Sequence, residues 1–141
     1  MSYATQSDMT ERFGAVELAQ LSDRVNGTVI DVAVVARALA DADAEIDAYL
    51  ARRYQLPLAS TPPVLVRMAC DIARYRLYDE AVTEAVRVRY NDAVALLKRM
   101  ASGEVELPAA TVLPAPATGS ANAVLVRTGA RQFGLADLSN Y

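Results

Sequence analysis

The densest set of groups able to do chemistry is an acidic run, Asp41, Asp43, Glu45 and Asp47. Four carboxylates within seven residues invite a divalent-cation site or an acid/base pair. Helical geometry argues against both. At roughly 100° per residue, Asp41 and Glu45 fall on one edge of a helix and Asp43 and Asp47 on the other, about 160° away, so the four do not converge on one ion. The run reads as two solvated edges flanking an apolar stripe. Ser22 to Ala33 has the glycine of a calcium loop in Gly27, but that register puts Ser22, Arg24 and Ala33 at the first, third and twelfth ligand positions. Two of these offer no side-chain oxygen, so a plain connecting turn is expected.

Other routes to catalysis are equally thin. The chain has no histidine, which removes the usual acid/base of neutral pH, and its one cysteine, Cys70, lies in an apolar helical run where a thiol is inert. A single cysteine also excludes an internal disulfide and a multi-cysteine zinc site, and fits a reducing compartment. Phosphate-cradling glycine loops and nucleophile elbows do not occur. An enzyme is not expected, and neither a metal nor a cofactor is called for.

The remaining charged features are ionic rows. Arg67, Asp71 and Arg74 follow one another at helical spacings of four and three, which suits a surface ion-pair row, with a buried network or a subunit contact as the other reading. Arg53 and Arg76 each fall on the apolar stripe of a helix. They either snorkel or pair with Asp79 or Asp71.

The elements that must carry these groups are helical. Asp31 to Tyr54 reads as one long helix, capped by Asp31, with Val35, Leu39, Ala42, Ile46 and Tyr49 on one stripe and Arg52 and Arg53 at the negative end of its dipole. At about 1.5 Å per residue it would run roughly 36 Å and needs at least two helices packed on it. Before it, Thr5 to Asp8 has capping-box spacing for a short helix from Gln6 to Phe13, stopped by Gly14. A second helical turn holds Val16, Leu18 and Leu21. After it, Pro57, Pro62 and Pro63 impose extended backbone and then open a helix of about Pro63 to Asp79, apolar nearly all round. Thr83 caps a last helix through Ala101, with Val86, Tyr90, Ala93, Leu97 and Met100 on one stripe and Gly103 as its stop. The predicted fold class is all-α: an antiparallel bundle of three longer helices plus short N-terminal helices, with an extended C-terminal arm.

Two parts follow, a helical domain over residues 1–103 and a Pro/Ala-rich linker with a docking arm over 104–141. Within the arm, Val124, Leu125, Val126 and Arg127 can form a short strand, and Arg131, Phe133, Leu135, Leu138 and Tyr141 supply anchors. Ordering nearly forty residues costs about 1–2 kcal/mol each for the backbone alone. The arm therefore either stays disordered or folds onto a partner, and its apolar end favours the partner. The chain carries net charge −3 with a pI near 4.9. Its last helix interrupts Arg87, Arg89, Lys98 and Arg99 with Glu84 and Asp92, which is a poor DNA-binding face. No stretch approaches the roughly 18 apolar residues of a membrane span, so a soluble protein is expected.

The blocks YATQSDMTERFG, VIDVAVVARALADADAEIDAYLARRYQLPL and PPVLVRMACDIARYRLYD, with the terminal pattern of Arg131, Phe133, Leu138 and Tyr141, resemble the gp36-like proteins of Mu-like phages and prophages. That family is in turn similar to head-tail connector, or adaptor, proteins. The resemblance implies a structural virion protein at the head-tail neck, present in the host cytoplasm before assembly. It implies a homo-oligomeric ring, a dodecamer, beneath the portal protein, which extends the DNA channel and meets tail-completion proteins. It also implies that the C-terminal arm docks on the portal or a neighbouring subunit. The other reading is a small helical DNA-packaging or regulatory factor.

Overall fold

The computed structural model describes residues 1–108 and 110–115. Five helices follow one another: α1 (Gln6–Phe13), α2 (Ala15–Ser22), α3 (Val32–Leu50), α4 (Pro63–Tyr78) and α5 (Glu84–Ser102). Each long helix packs on the other two, and the α1–α2 pair lies across α3 and α4. The expected all-α bundle is what forms.

Local signals set most boundaries. Thr5 and Asp8 form the predicted capping box, and Gly14, at φ +89°, turns the chain from α1 into α2. Asp31 accepts from the backbone N–H of Ala33 and Val34 at the start of α3, and Thr83 from that of Val86 at the start of α5. Gly103 closes α5 in the left-handed conformation that lacks a penalty only for glycine. Backbone donors converging on one carboxylate hold the loop between α2 and α3. Asp23 accepts from the backbone N–H of Val25, Asn26 and Thr28, and these bonds, that from Asn26 first, hold its carboxyl below the usual range. Ser22, buried at the end of α2, donates to the Leu18 carbonyl and accepts from the Asp31 N–H, which ties α2 to the start of α3.

The core is the meeting of three stripes. Val35, Leu39, Ala42 and Ile46 of α3 face Leu65, Met68, Ile72 and Leu77 of α4 and Ala93, Leu97 and Met100 of α5, all buried, while Val86 of α5 is buried outside this cluster. Leu50, not Tyr49, completes the α3 stripe. Tyr90 is half-buried and stacks on Tyr75 of α4, with ring centroids 4.0 Å apart. Fully burying one such aliphatic side chain contributes about 1.5–3 kcal/mol.

Helix α3 stops four residues short of the expected Tyr54. The N–H groups of Arg53 and Tyr54 both bond the Leu50 carbonyl, and the chain then turns out of the helix. Tyr54 leaves because it has another partner: it forms an antiparallel bridge with Val112, flanked by Gln55 N–H to Thr111 carbonyl at 2.9 Å and Leu113 N–H to Arg53 carbonyl at 2.8 Å. The packed body thus continues beyond residue 103. Leu107 is 4% exposed, and its N–H donates to the buried Tyr54 hydroxyl at 3.1 Å. The loss of helical period and the prolines after residue 103 predict a linker there, but Leu107 and the bridge at Val112 belong to the packed body.

Candidate docking surface at the arm end of the bundle

The acidic run of α3 is where structure and sequence differ most. Only Asp41 is exposed; Asp43, Glu45 and Asp47 are half-buried, and each accepts hydrogen bonds from another element. On one edge the N-terminal segment lies against α3: the Tyr3 N–H donates to Asp43 at 2.9 Å and the Tyr3 hydroxyl donates to Asp47. Burial, followed by the Asp47 contact, pushes the Tyr3 phenol up, and burial also raises the Asp43 carboxyl above its usual range. On the other edge Glu45 receives Arg76 of α4 at 2.9 Å and the hydroxyl of Tyr90 of α5 at 2.8 Å. Burial, then Glu45, pushes the Tyr90 phenol up to about 12. The expected solvated edges are in fact seams, because alternate edges of a central helix border two different neighbours.

Of the predicted ion-pair residues, Arg74, Arg76 and Asp79 find other partners, while Arg67 and Asp71 form no ion pair among the described residues. Arg76 pairs with Glu45, not with Asp71 or Asp79. Arg74 leaves the row with Arg67 and Asp71 and bonds Glu17 of α2 at 2.6 Å, where Tyr78 also donates, while its guanidinium lies 4.4 Å from the Phe13 ring centroid. Asp79 meets Arg24 at 3.0 Å, with both side chains well exposed, a geometry that contributes little. These partners lie 31 to 57 residues away in sequence. Periodicity within one helix does not reach across that distance. Asp71 stays in a cleft of about 500 Å³ with Arg12, Arg67, Arg89 and Asp92 on its walls. Burial raises its carboxyl, against the pull of Arg89, Arg67 and Arg12. Cys70 is fully buried, and burial first of all pushes its thiol up to about 11.

Arg53 forms none of the expected ion pairs among the described residues. Its guanidinium lies against Gly103, where a Cβ would come within 2.2 Å of Nη1, and 5.9 Å from the Tyr54 ring centroid. Its Nε is buried without an acceptor. Arg53 lines a groove of about 890 Å³ at the end of the bundle where α3 and α5 finish and the arm departs. Arg52 and Lys98 line it too, with Tyr49, Val112 and Leu113, and no carboxylate is among the described residues that line it. Periodicity gives no hint of this groove, since Val112 and Leu113 reach it through the bridge at Tyr54. From its position at the end of α3, Arg52 is expected to face the helix dipole; the fold also places it on the groove. The arm residues Val124, Leu125, Val126, Arg127, Arg131, Phe133, Leu135, Leu138 and Tyr141 lie outside the described residues.

Among the described residues no group of three His, Cys, Asp or Glu side chains could hold a metal ion, and no helix is long and apolar enough to cross a membrane. The described residues thus form a helical bundle held by cross-helix ionic seams, with a concave basic groove at one end. Comparison with known proteins supplies the lineage. A family model described as "Bacteriophage Mu, Gp36" matches residues 3–126, and the chain belongs to that family. It is 38% identical over 105 residues to the Mu-like prophage FluMu protein gp36 of Haemophilus influenzae, covering 74% of each chain. It is 36% identical over 107 residues to Gene product J of Escherichia phage Mu, covering 75% of this chain and 76% of that one.

Proposed function

We propose that this protein is a non-enzymatic structural component of a Mu-like phage or prophage particle, a head-tail connector protomer. Copies assemble head-to-tail into a closed ring, a dodecamer, beneath the portal protein and extend the channel through which DNA passes. The far face meets tail-completion proteins. The observation that carries this reading is membership of the Mu Gp36 family from residue 3 to residue 126, which takes in the helical body and the start of the arm together. A heterologous contact that closes is what a ring requires.

The chemistry supports it. Glu17, Asp43, Glu45 and Asp47, half-buried, all accept hydrogen bonds that hold elements together, which suits a rigid building block. A conduit for DNA should not grip phosphate, and a net charge of −3 disfavours gripping. The arm, with Val124 to Arg127 as an added strand and Phe133, Leu135, Leu138 and Tyr141 as anchors, is the segment proposed to dock on the portal or a neighbouring subunit.

Sedimentation of the full-length chain, alone and with the portal ring of the same phage, tests this. The free chain should co-sediment with the portal in near-equal copies. A chain that ignores the portal and shifts with duplex DNA would instead be a packaging or regulatory factor.

A further inference from the structure

The groove where α3 and α5 end carries features that the connector reading does not use. Its walls bring three cations together, Arg52, Arg53 and Lys98, with no carboxylate among the described residues that line it. None of the three forms an ion pair within the described residues, a property they share with Arg12, Arg37, Arg67 and Arg89; what sets them apart is their convergence on one groove. Arg53 Nε is the one buried side-chain polar atom without a partner among the described residues. A buried donor left unpaired is costly, which marks Arg53 as the least satisfied cation of the described residues.

The backbone supplies a second feature. In the bridge of Tyr54 with Val112, Thr111 and Leu113 bond residues 55 and 53. Val112, between them in an extended segment, turns its own N–H and C=O to the opposite edge, where they bond to no backbone group of the described residues. Val112 and Leu113 are 48% and 40% exposed and form the apolar side of the groove. A one-residue bridge whose outer edge is unpaired among the described residues, set beside an apolar wall and three cations, offers a starting point for strand addition by a peptide of opposite charge.

The geometry points to this groove as a docking site for an extended, acidic segment of a protein partner. The segment pairs its backbone with the free edge of Val112, lays an aliphatic side chain on Val112 and Leu113, and presents carboxylates to Arg52, Arg53 and Lys98. Duplex DNA fits less well, because it needs an extended basic face, and this surface is concave, partly apolar and set in an acidic chain. The inference stands apart from the connector reading; no ring or portal enters its test.

The probe is a fluorescein-labelled octapeptide of alternating valine and glutamate, titrated with the full-length chain and read by anisotropy. Its counterpart with glutamine in place of glutamate should bind at least tenfold more weakly. Lys98→Glu and Arg52→Glu should each weaken the acidic probe at least tenfold, and the Lys98→Glu chain should gain affinity for a valine–lysine octapeptide. Both sites are exposed, and circular dichroism confirms that the variants fold. Equal binding of the glutamine peptide, or variants without effect, overturns the proposal. So does displacement of the probe by a DNA hairpin at lower concentration than by unlabelled peptide, which makes the groove a nucleic-acid site. If the probe binds only to a chain carrying Phe133→Ser and Leu138→Ser, the chain's own C-terminal segment is the occupant and the proposal falls.

Discussion

Glu45 joins all three long helices through one side chain, so replacing it with alanine probes the bundle at its junction. Its carboxylate is 15% exposed and receives Tyr90 of α5 and Arg76 of α4. The tyrosine bond is charge-assisted and half-buried, worth about 1–1.5 kcal/mol net. Arg76 is 46% exposed, so solvent screening reduces its share to about 0.5–1 kcal/mol. Together Glu45→Ala should cost about 2 kcal/mol, which for a body of this size lowers Tm by roughly 6–10 °C. Urea unfolding of Glu45→Ala, Tyr90→Phe and the double variant apportions the loss. Tyr90→Phe should cost about 1 kcal/mol in the parent and close to nothing once Glu45 is gone, giving a coupling of about 1 kcal/mol. A loss below about 0.5 kcal/mol for Glu45→Ala, or the same Tyr90→Phe cost in both backgrounds, would refute the junction.

Two further outcomes follow from the seams and the arm. Tyr54→Phe leaves the buried Leu107 N–H without its acceptor, which should cost about 1–3 kcal/mol. Hydrogen exchange should show the loss at Gln55 and Leu113, with the amides of α4 still protected; uniform loss across the bundle would contradict it. Asp71→Asn tests the cleft: burial raises the Asp71 carboxyl, so the native state binds this proton more tightly than the unfolded chain. That contribution is complete below the ordinary carboxylate value of about 3.9 and is lost as pH rises through the folded value. At pH 7 the asparagine chain should therefore be at least as stable as the parent, with its advantage fading as pH falls toward about 4. A clear loss at pH 7 would mean that Arg89, Arg67 and Arg12 outweigh burial.

Local chemistry made much of this fold legible. The capping residues Thr5, Asp31 and Thr83 and the stop Gly103 act on backbone within a few residues of themselves, and the 4-3-4-3 stripes of α3 and α5 are one-helix patterns. Such signals need no knowledge of what lies opposite. They gave the three long helices, the short N-terminal pair and the antiparallel bundle. The family blocks also lay within contiguous runs of sequence, and the match over residues 3–126 bears that resemblance out.

What the sequence did not decide is which polar groups meet. Glu45 reads as a solvated edge until Arg76 and Tyr90 arrive from 31 and 45 residues away, and Arg74 leaves Asp71 for Glu17, 57 residues earlier. Helix α3 ends at Leu50 because Tyr54 bridges Val112, and the cations beside that bridge line a groove only when residues 111–113 return to it. Periodicity fixes which face of a helix is apolar; only the tertiary packing decides which neighbour each edge of that face meets. The amino-acid sequence thus determined the helices and their family, and the packing of the chain determined the ionic seams and the basic groove.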